Sequence, residues 1–467
     1  MKRIVYDYTN LTSDVVGESG ICASDMESLR LRAAIAVDDF VELASAEDVT
    51  FPRLPELSVD DILVRASQDQ AKFTDLVVIG IGGSSLGARA VHTALTRKAS
   101  GRMLDGSPRK GPRLHFIENV DPIETIDLLD ALPLATTLFN VITKSGNTIE
   151  TLSTFAIVRE RLIEQFGQDG YRDRVVVTTD PERGPLRALA KREGLFSFDV
   201  PPEVGGRFSV LSAVGLYPLA VAGIDIVSLL RGAARARDRA FDRDLDDNAA
   251  LLFAVHQVAL YEKDIRQIVM MPYAQNLTDL SAWFVQLWAE SLGKKRRDEN
   301  GTQSHVGPTP IAALGVTDQH SQLQLYMEGP NERSILFIEV ESCSMGLDVP
   351  SLRGLMDGMG HIGGRPLEEV RRAELQGVRE GLAEESRPTA TLAIPRISAE
   401  SIGELVMFFE AATSFAGSLL RVDPFNQPGV ELGKRYAHGL LGREKESHYA
   451  NRFTRAMESR VRRVVAL

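Results

Sequence analysis

Short apolar runs, each closed by Gly, Ser, Thr or Asn, alternate along this chain with longer segments whose apolar positions recur at helical spacing. Leu76 to Ile81, Leu114 to Ile117, Leu138 to Ile142 and Val175 to Thr178 read as buried strands. Helical patterns follow each of them: Ser85 to about Thr96, a segment after Asp121-Pro122, Thr148 to Glu164, and Arg187 to Arg192. That β-α-β-α rhythm predicts a parallel sheet with right-handed crossovers and helices on both faces. A second set begins after the mostly helical stretch from Ile226 to Glu262. Its strands are Ile265 to Pro272, Ser334 to Val340 and Thr389 to Ile394, with helices over Leu367 to Glu385 and Ser401 to Leu420. The pattern predicts an α/β chain of two doubly wound parallel-sheet domains, at 56–240 and 241–425. A helical arm, 1–55, precedes them and C-terminal helices, 426–467, follow. No residue-level repeat relates the halves, so any duplication is structural.

Composition narrows the partners. With 44% hydrophobic and 25% charged residues, the 467-residue chain has the make-up of a soluble globular protein. No uninterrupted apolar run approaches the ~18–20 residues of a membrane span, and the N-terminus lacks a secretion signal's apolar core. Two distant cysteines, Cys22 and Cys343, point to a reducing compartment, so a cytoplasmic location without membrane attachment is expected. A net charge of −11 argues against non-specific nucleic-acid binding. The arginines of the last segment, Arg452 to Arg463, then read as one face of a solvated terminal helix. An anionic small molecule remains compatible, but its site has to be built locally from backbone N–H groups and a few cations.

Two loops have that make-up. Gly80 to Gly87 turns the first strand into a helix, and its glycines permit close backbone approach beside unpaired N–H donors. It fails the dinucleotide fingerprint at Ser85, although Glu118 could imitate a ribose-binding acid, and it fails the Walker pattern at Ala88. A close-packed turn explains it equally well. At the end of the third strand, Thr143-Lys144-Ser145-Gly146-Asn147-Thr148 sets hydroxyls, an ammonium and a helix N-terminus together, as a phosphate monoester requires.

Other segments carry reactive groups. Gln286 and Glu290 lie one helical turn apart in the mostly apolar stretch Leu280 to Lys294 and share one face. A carboxylate there is either paired, with Lys294 at hand, or used. Gly205-Gly206-Arg207 presents a rigid cationic fork, His320 opens a polar helix, and Lys434 enters a helix after Gly433. Each also has an ordinary reading as a surface or structural residue.

Together and in this order, the chain resembles the glucose-6-phosphate isomerase (phosphoglucose isomerase) family, bacterial type, from about Asp75 to Tyr436. Its most specific matches are Val78 to Ser84, Lys144 to Thr151, Gly205 to Ser209, Gln286 to Lys294 and Gly429 to Lys434. The resemblance implies two sugar-isomerase (SIS-type) domains, a homodimer with a shared active site, and glucose 6-phosphate/fructose 6-phosphate interconversion in glycolysis and gluconeogenesis without metal or organic cofactor. It implies that Gly83, Ser84, Thr143, Lys144, Ser145 and Thr148 hold the phosphate and that Gln286 lines the site. Glu290 would move the proton, Arg207 would stabilise the enediolate, and His320 and Lys434 would assist ring opening, His320 from the partner subunit. The chemistry asks for the same types: a desolvated carboxylate of raised pKa as base and a permanent cation at the oxyanion. A variable-looking insert, 295–314, precedes His320. Competing readings are a dual glucose/mannose 6-phosphate isomerase, a sugar-phosphate sensor and, weakest, a dehydrogenase.

Overall fold

The computed structural model describes residues 3–297, 301–343 and 345–465. A short strand, β1 (Val5–Asp7), opens the chain, and the helix Ala23–Ser45 follows it. The first sheet contains β2 (Asp75–Ile79), β3 (Arg113–Ile117), β4 (Thr137–Thr143), β5 (Val175–Thr179) and β6 (Phe196–Asp199). All pair in parallel, in the order β3-β2-β4-β5-β6. Every residue of β2, β4 and β5 is buried, which is why they read as continuous apolar runs without alternation. The edge strand β6 was not expected from the sequence. Its four residues, Phe-Ser-Phe-Asp, are too few to establish a period.

The second sheet is built from β7 (Gln267–Pro272), the hairpin β8 (Lys294–Arg297) and β9 (Gln303–Val306) that stands outside it, then β10 (Thr309–Ala312), β11 (Arg333–Val340) and β12 (Thr389–Ile394). Its order is β1-β12-β11-β7-β10, with β1 alone antiparallel. The region expected as a variable insert is therefore a two-stranded ribbon followed by a sheet strand. Residues 298–300 of it lie outside the described residues. Lys-Lys-Arg-Arg in β8 has no apolar face to announce a strand, and β10 carries Pro310, which only an edge position tolerates well.

Counted within each half, the strands run second-first-third-fourth in both sheets. The halves are thus related by fold, with β6 in the fifth position of one sheet and antiparallel β1 in that of the other.

The helix Ala399–Leu419 packs against Ile226–Ala240, Ala249–Glu262 and Ala23–Ser45. It has the length and apolarity of a membrane span, yet 89% of its apolar window is buried inside the molecule. Its approach to Ile226–Ala240 is backbone to backbone: a Cβ on Gly403 would stand 1.8 Å from the Leu229 carbonyl oxygen, and one on Gly232 1.8 Å from that of Glu400. Glycine is the residue that permits such a crossing.

Glu410 lies in this helix, fully buried, with neither carboxylate oxygen bonded to a described residue. Burial raises its pKa well above the ordinary 4.5, so the folded chain holds it neutral. The unfolded chain releases that proton above pH 4.5, so stability is full below that value and falls as pH rises through the window up to the folded pKa. Glu410→Gln cannot ionise. Its stability relative to the wild type should therefore improve between pH 5 and pH 8, by about 1.4 kcal/mol per pH unit within the window, in urea unfolding. An equal difference at both pH values would show that Glu410 is not held neutral.

Candidate active site

The first sheet's winding reverses between β2 and β4, and in such sheets the crevice beyond the carboxyl ends of those strands is the natural ligand site. Both anion-type loops of the sequence open into it. After β2, Gly82 adopts φ +59°, and a Cβ there would stand 2.7 Å from Gln286 Nε2. At Gly83 a Cβ would fall 2.3 Å from the Gly206 carbonyl oxygen. The Ser209 hydroxyl, 2.8 Å from Gly206 O and 3.3 Å from Gly83 O, ties the two turns together. Gly83 is thus fixed by backbone meeting backbone, and Gly82 by its left-handed φ, with the end of the Gln286 side chain beside it. The Gln286 Oε1 atom is buried and has no partner among the described residues.

After β4, the Thr143 and Thr148 hydroxyls are 2.7 Å apart, and Ser145 Oγ lies 3.4 Å from each. Gly146, at φ +65°, lets this loop turn against Gly184. Lys144 reaches back so that its ammonium donates to the Pro202 carbonyl at 2.5 Å. Burial lowers the pKa of that ammonium, and the nearby carboxylates of Glu203 and Asp180 oppose the shift. An incoming phosphate would act in the same sense as those carboxylates. Three hydroxyls so converge at the start of the helix Ile149–Arg172, with Lys144 in the same loop but turned to Pro202.

Glu290 stands in the last turn of the helix Thr278–Leu292. That helix presents Trp283, Phe284, Leu287 and Trp288 to the core, which fixes the direction of its opposite face. The carboxylate pairs with Arg207 Nη1 at 3.2 Å. Arg207 is almost wholly enclosed, 4% exposed against 37% for Glu290. Its Nε donates to Ser291 Oγ at 3.0 Å, Nη2 to the Pro424 and Asn426 carbonyls at 2.8 and 3.3 Å, and Nη1 also to Gln427 Oε1. Burial pushes the guanidinium below its usual range and Glu290 opposes that, so the pair holds a charge in a poorly solvated place. The expected dry setting therefore belongs to the arginine. The acid faces an open cavity of about 690 Å³, which Lys294, Asp423 and Gln427 also line. Lys294, the alternative partner, donates to the Glu290 backbone carbonyl at 2.9 Å and leaves the carboxylate to Arg207. Gln427 escaped the sequence reading. Its only signal was an amide opening the Gln427 to Lys434 segment.

Gly83, Gln286, Arg207 and Glu290 come together in this way, with the Thr143–Thr148 loop on the neighbouring strand. His320 and Lys434 do not join them within one chain. His320 is exposed on the short turn Thr317–His320 and does not line the Glu290 cavity. Lys434, 54% exposed, is ion-paired with Glu431 at 2.9 Å. Glu118, the imitation ribose acid, is bound instead to Arg89.

The family model described as phosphoglucose isomerase matches residues 65–460. Glucose-6-phosphate isomerase of Rubrobacter xylanophilus is 41% identical over 449 residues, 95% of this chain and 99% of that protein. The enzyme of the same name from Carboxydothermus hydrogenoformans is 40% identical, over 94% of each chain. Among solved structures, a hypothetical protein of Thermus thermophilus superposes with a TM-score of 0.82 at 35% identity, over 94% of this chain and all of the other. A glucose-6-phosphate isomerase of Chlamydia trachomatis, at 22% identity and TM-score 0.78 over 94% and 90% of the two chains, shares the fold.

The contact between the turns can be tested directly. Gly83→Ala places a methyl on the Gly206 carbonyl and should cost about 1–3 kcal/mol, measured by urea unfolding. Unchanged stability would mean that the turns do not meet as described.

Proposed function

Since the chain belongs to the phosphoglucose isomerase family, we propose that it interconverts glucose 6-phosphate and fructose 6-phosphate, with Glu290 as the proton-transferring base. The observation that carries this reading is the Arg207–Glu290 pair, set between the glycine turns at the crevice of the first sheet. In the reaction, the Glu290 carboxylate takes the C2 proton of the open-chain aldose. The C–H electron pair forms the C1–C2 double bond and charge moves to the C1 oxygen. Arg207, charged at every working pH and locked by its carbonyl and serine contacts, stabilises that enediolate. After a proton has moved between the two oxygens, Glu290 returns its proton to C1 and leaves the ketose. The phosphate is held by Ser84, Thr143, Lys144, Ser145, Thr148 and the Gly83 backbone, far from the reacting carbons, so its binding energy positions the sugar. Gln286 and Gln427 line the remaining space.

His320 and Lys434 act in ring opening, with His320 supplied by a second subunit of a cytoplasmic homodimer. Two unpartnered surfaces support the dimer. Leu325, Leu355, Met356, Met359 and Leu367 are exposed in and beyond the segment that follows His320. The terminal helices Glu431–Leu440 and Ser447–Ser459 pack on each other but leave Leu432, Leu440, Leu441, Phe453 and Met457 exposed.

In a coupled isomerase assay, Glu290→Gln should lose about 10²–10⁴-fold or more in kcat while keeping phosphate-ester affinity. Near-normal turnover would remove Glu290 from this role. Lys144→Ala should raise KM instead.

The origin of His320 is tested by mixing Glu290→Gln and His320→Ala proteins under subunit exchange. Each is inactive alone, and a mixed dimer has one complete site only if His320 crosses to the partner's Glu290. Recovered activity is expected, and none would place His320 in its own subunit's site.

A further inference from the structure

The helix carrying Glu290 has a second working end. Thr278–Leu292 and Leu86–Leu95 lie antiparallel: Gly82 meets Gln286 at one end of the pair, and Thr93 Oγ1 donates to Asp279 Oδ2 at 2.6 Å at the other. The catalytic crevice occupies the first end. A separate cavity of about 510 Å³ occupies the second, where residues 273–278 leave the carboxyl end of β7. In the second sheet β7 stands where β2 stands in the first. This cavity is thus placed as the glycine loop is placed in the other half, beyond a strand end and at the start of the following helix.

Its walls are basic, in a chain whose net charge is −11. Arg97 donates Nε and Nη2 to the Leu104 carbonyl at 3.2 and 3.0 Å, and Arg109 donates Nε to that of Gly111 at 2.7 Å. The connection between them closes over both guanidiniums through two left-handed glycines. A Cβ on Gly106 would stand 2.6 Å from Arg97 Nη2, and one on Gly101 3.1 Å from Arg109 Nη1. Neither arginine, nor Lys98 beside them, forms a close ion pair among the described residues, although, after the Ser107 hydrogen bonds, the charge of Arg97 helps to lower the pKa of the exposed Asp105 on the same connection. The other charges of the cavity are already matched. Arg113 is held by buried Asp75 at 2.7 and 3.0 Å, and Asp279 takes Thr93 and, at 3.5 Å, Arg89. His92 also lines the cavity, and its ring forms no hydrogen bond with a described residue. Burial, then Arg109 and His115, depress its pKa to about 4, so at neutral pH it is an uncharged group free to donate or accept.

We propose that this cavity is a second anion site, which takes a small phosphate ester or polyphosphate on Arg97, Lys98 and Arg109. Its volume exceeds that of a lone phosphate, and its unpaired cations sit on one connection. The Asn276 amide and Thr278 hydroxyl, which also line it, are spent on the carbonyls of Thr93, Thr96 and Gln275. Phosphate oxygens are matched by forked guanidinium donors, as neutral sugars are not. The site is distinct from the crevice of Glu290, and binding at it does not require the catalytic reading to hold.

The test is calorimetric titration of the full-length protein with pyrophosphate at low ionic strength. Two binding events are expected in the wild type. Lys98→Glu/Arg109→Ala should weaken one of them by about tenfold or more, the loss of one or two charge-assisted hydrogen bonds. It should leave KM for glucose 6-phosphate within about twofold, because neither residue lines the crevice. Arg109 also holds its own loop, so Lys98→Glu alone, on an exposed side chain without a hydrogen bond, provides the second variant with the same direction of effect. Lys144→Ala should leave this event unchanged and remove the other. Wild-type binding in both Lys98 variants would overturn the proposal, whereas a single wild-type event that Lys98→Glu weakens and Lys144→Ala spares would count against the crevice loop alone. Persistence of both events in Lys144→Ala would count against the crevice loop instead.

Discussion

The arrangement of this molecule depends on one steric fact: the turn after β2 meets the backbone just before Arg207 where a side chain has no room. Gly82 lies against Gln286, and Gly83 lies against Gly206. Arg207 follows at once in the chain, so the same contact that closes the crevice delivers a guanidinium to it. That guanidinium is then surrounded by carbonyl and hydroxyl acceptors from Ser291, Pro424 and Asn426. A buried cation is costly unless its donors are satisfied. Here the satisfaction comes from segments far apart in sequence, so the charge fastens the loop before Lys434 to the helix of Glu290. The acid keeps part of its surface toward the cavity.

The duplicated winding explains why such a meeting is available. Each half supplies one strand-loop-helix unit, and the two helices run side by side in opposite directions. The first half contributes its glycine turn to one end of the pair, while the second contributes Gln286 and Glu290 from the far end of its own helix. The two copies therefore contribute different ends of the same helix pair, with no residue-level similarity needed between them. The shared element is backbone geometry, set by β2 and β7 at equivalent places in their sheets.

Much of this was readable before the structure. Strands such as β2 and β4 bury both faces, so they appear as unbroken apolar runs, and the glycines, Lys144, Arg207 and Glu290 are marked by their residue types. The unread parts share a physical cause: their stability comes from partners remote in sequence or from solvent-facing pairing. The charged ribbon of β8 and β9 carries no burial signal, and β1 is three residues long and needs β12 to be a strand at all. Gln427 matters only because Arg207 lies beside it. The sequence also suggested that the acid would be the dry member of the site. An apolar helix identifies its buried face but leaves open how deep the last turn lies, and the enclosed group proved to be the arginine. His320 and Lys434 were named through the family resemblance, yet one chain leaves both facing solvent.

The pairing of Val5 with Ala393 has a consequence for how the chain is made. Chains emerge from the ribosome at about 5–20 residues per second, so the first strand waits roughly 20–80 s before its partner exists. The first sheet needs no such delay, since all its strands lie between residues 75 and 199. Until the last strand arrives, the second sheet cannot be capped, and β1 remains an unpaired segment in search of an edge. The piece that closes the second sheet is thus synthesised long before the strand it closes on.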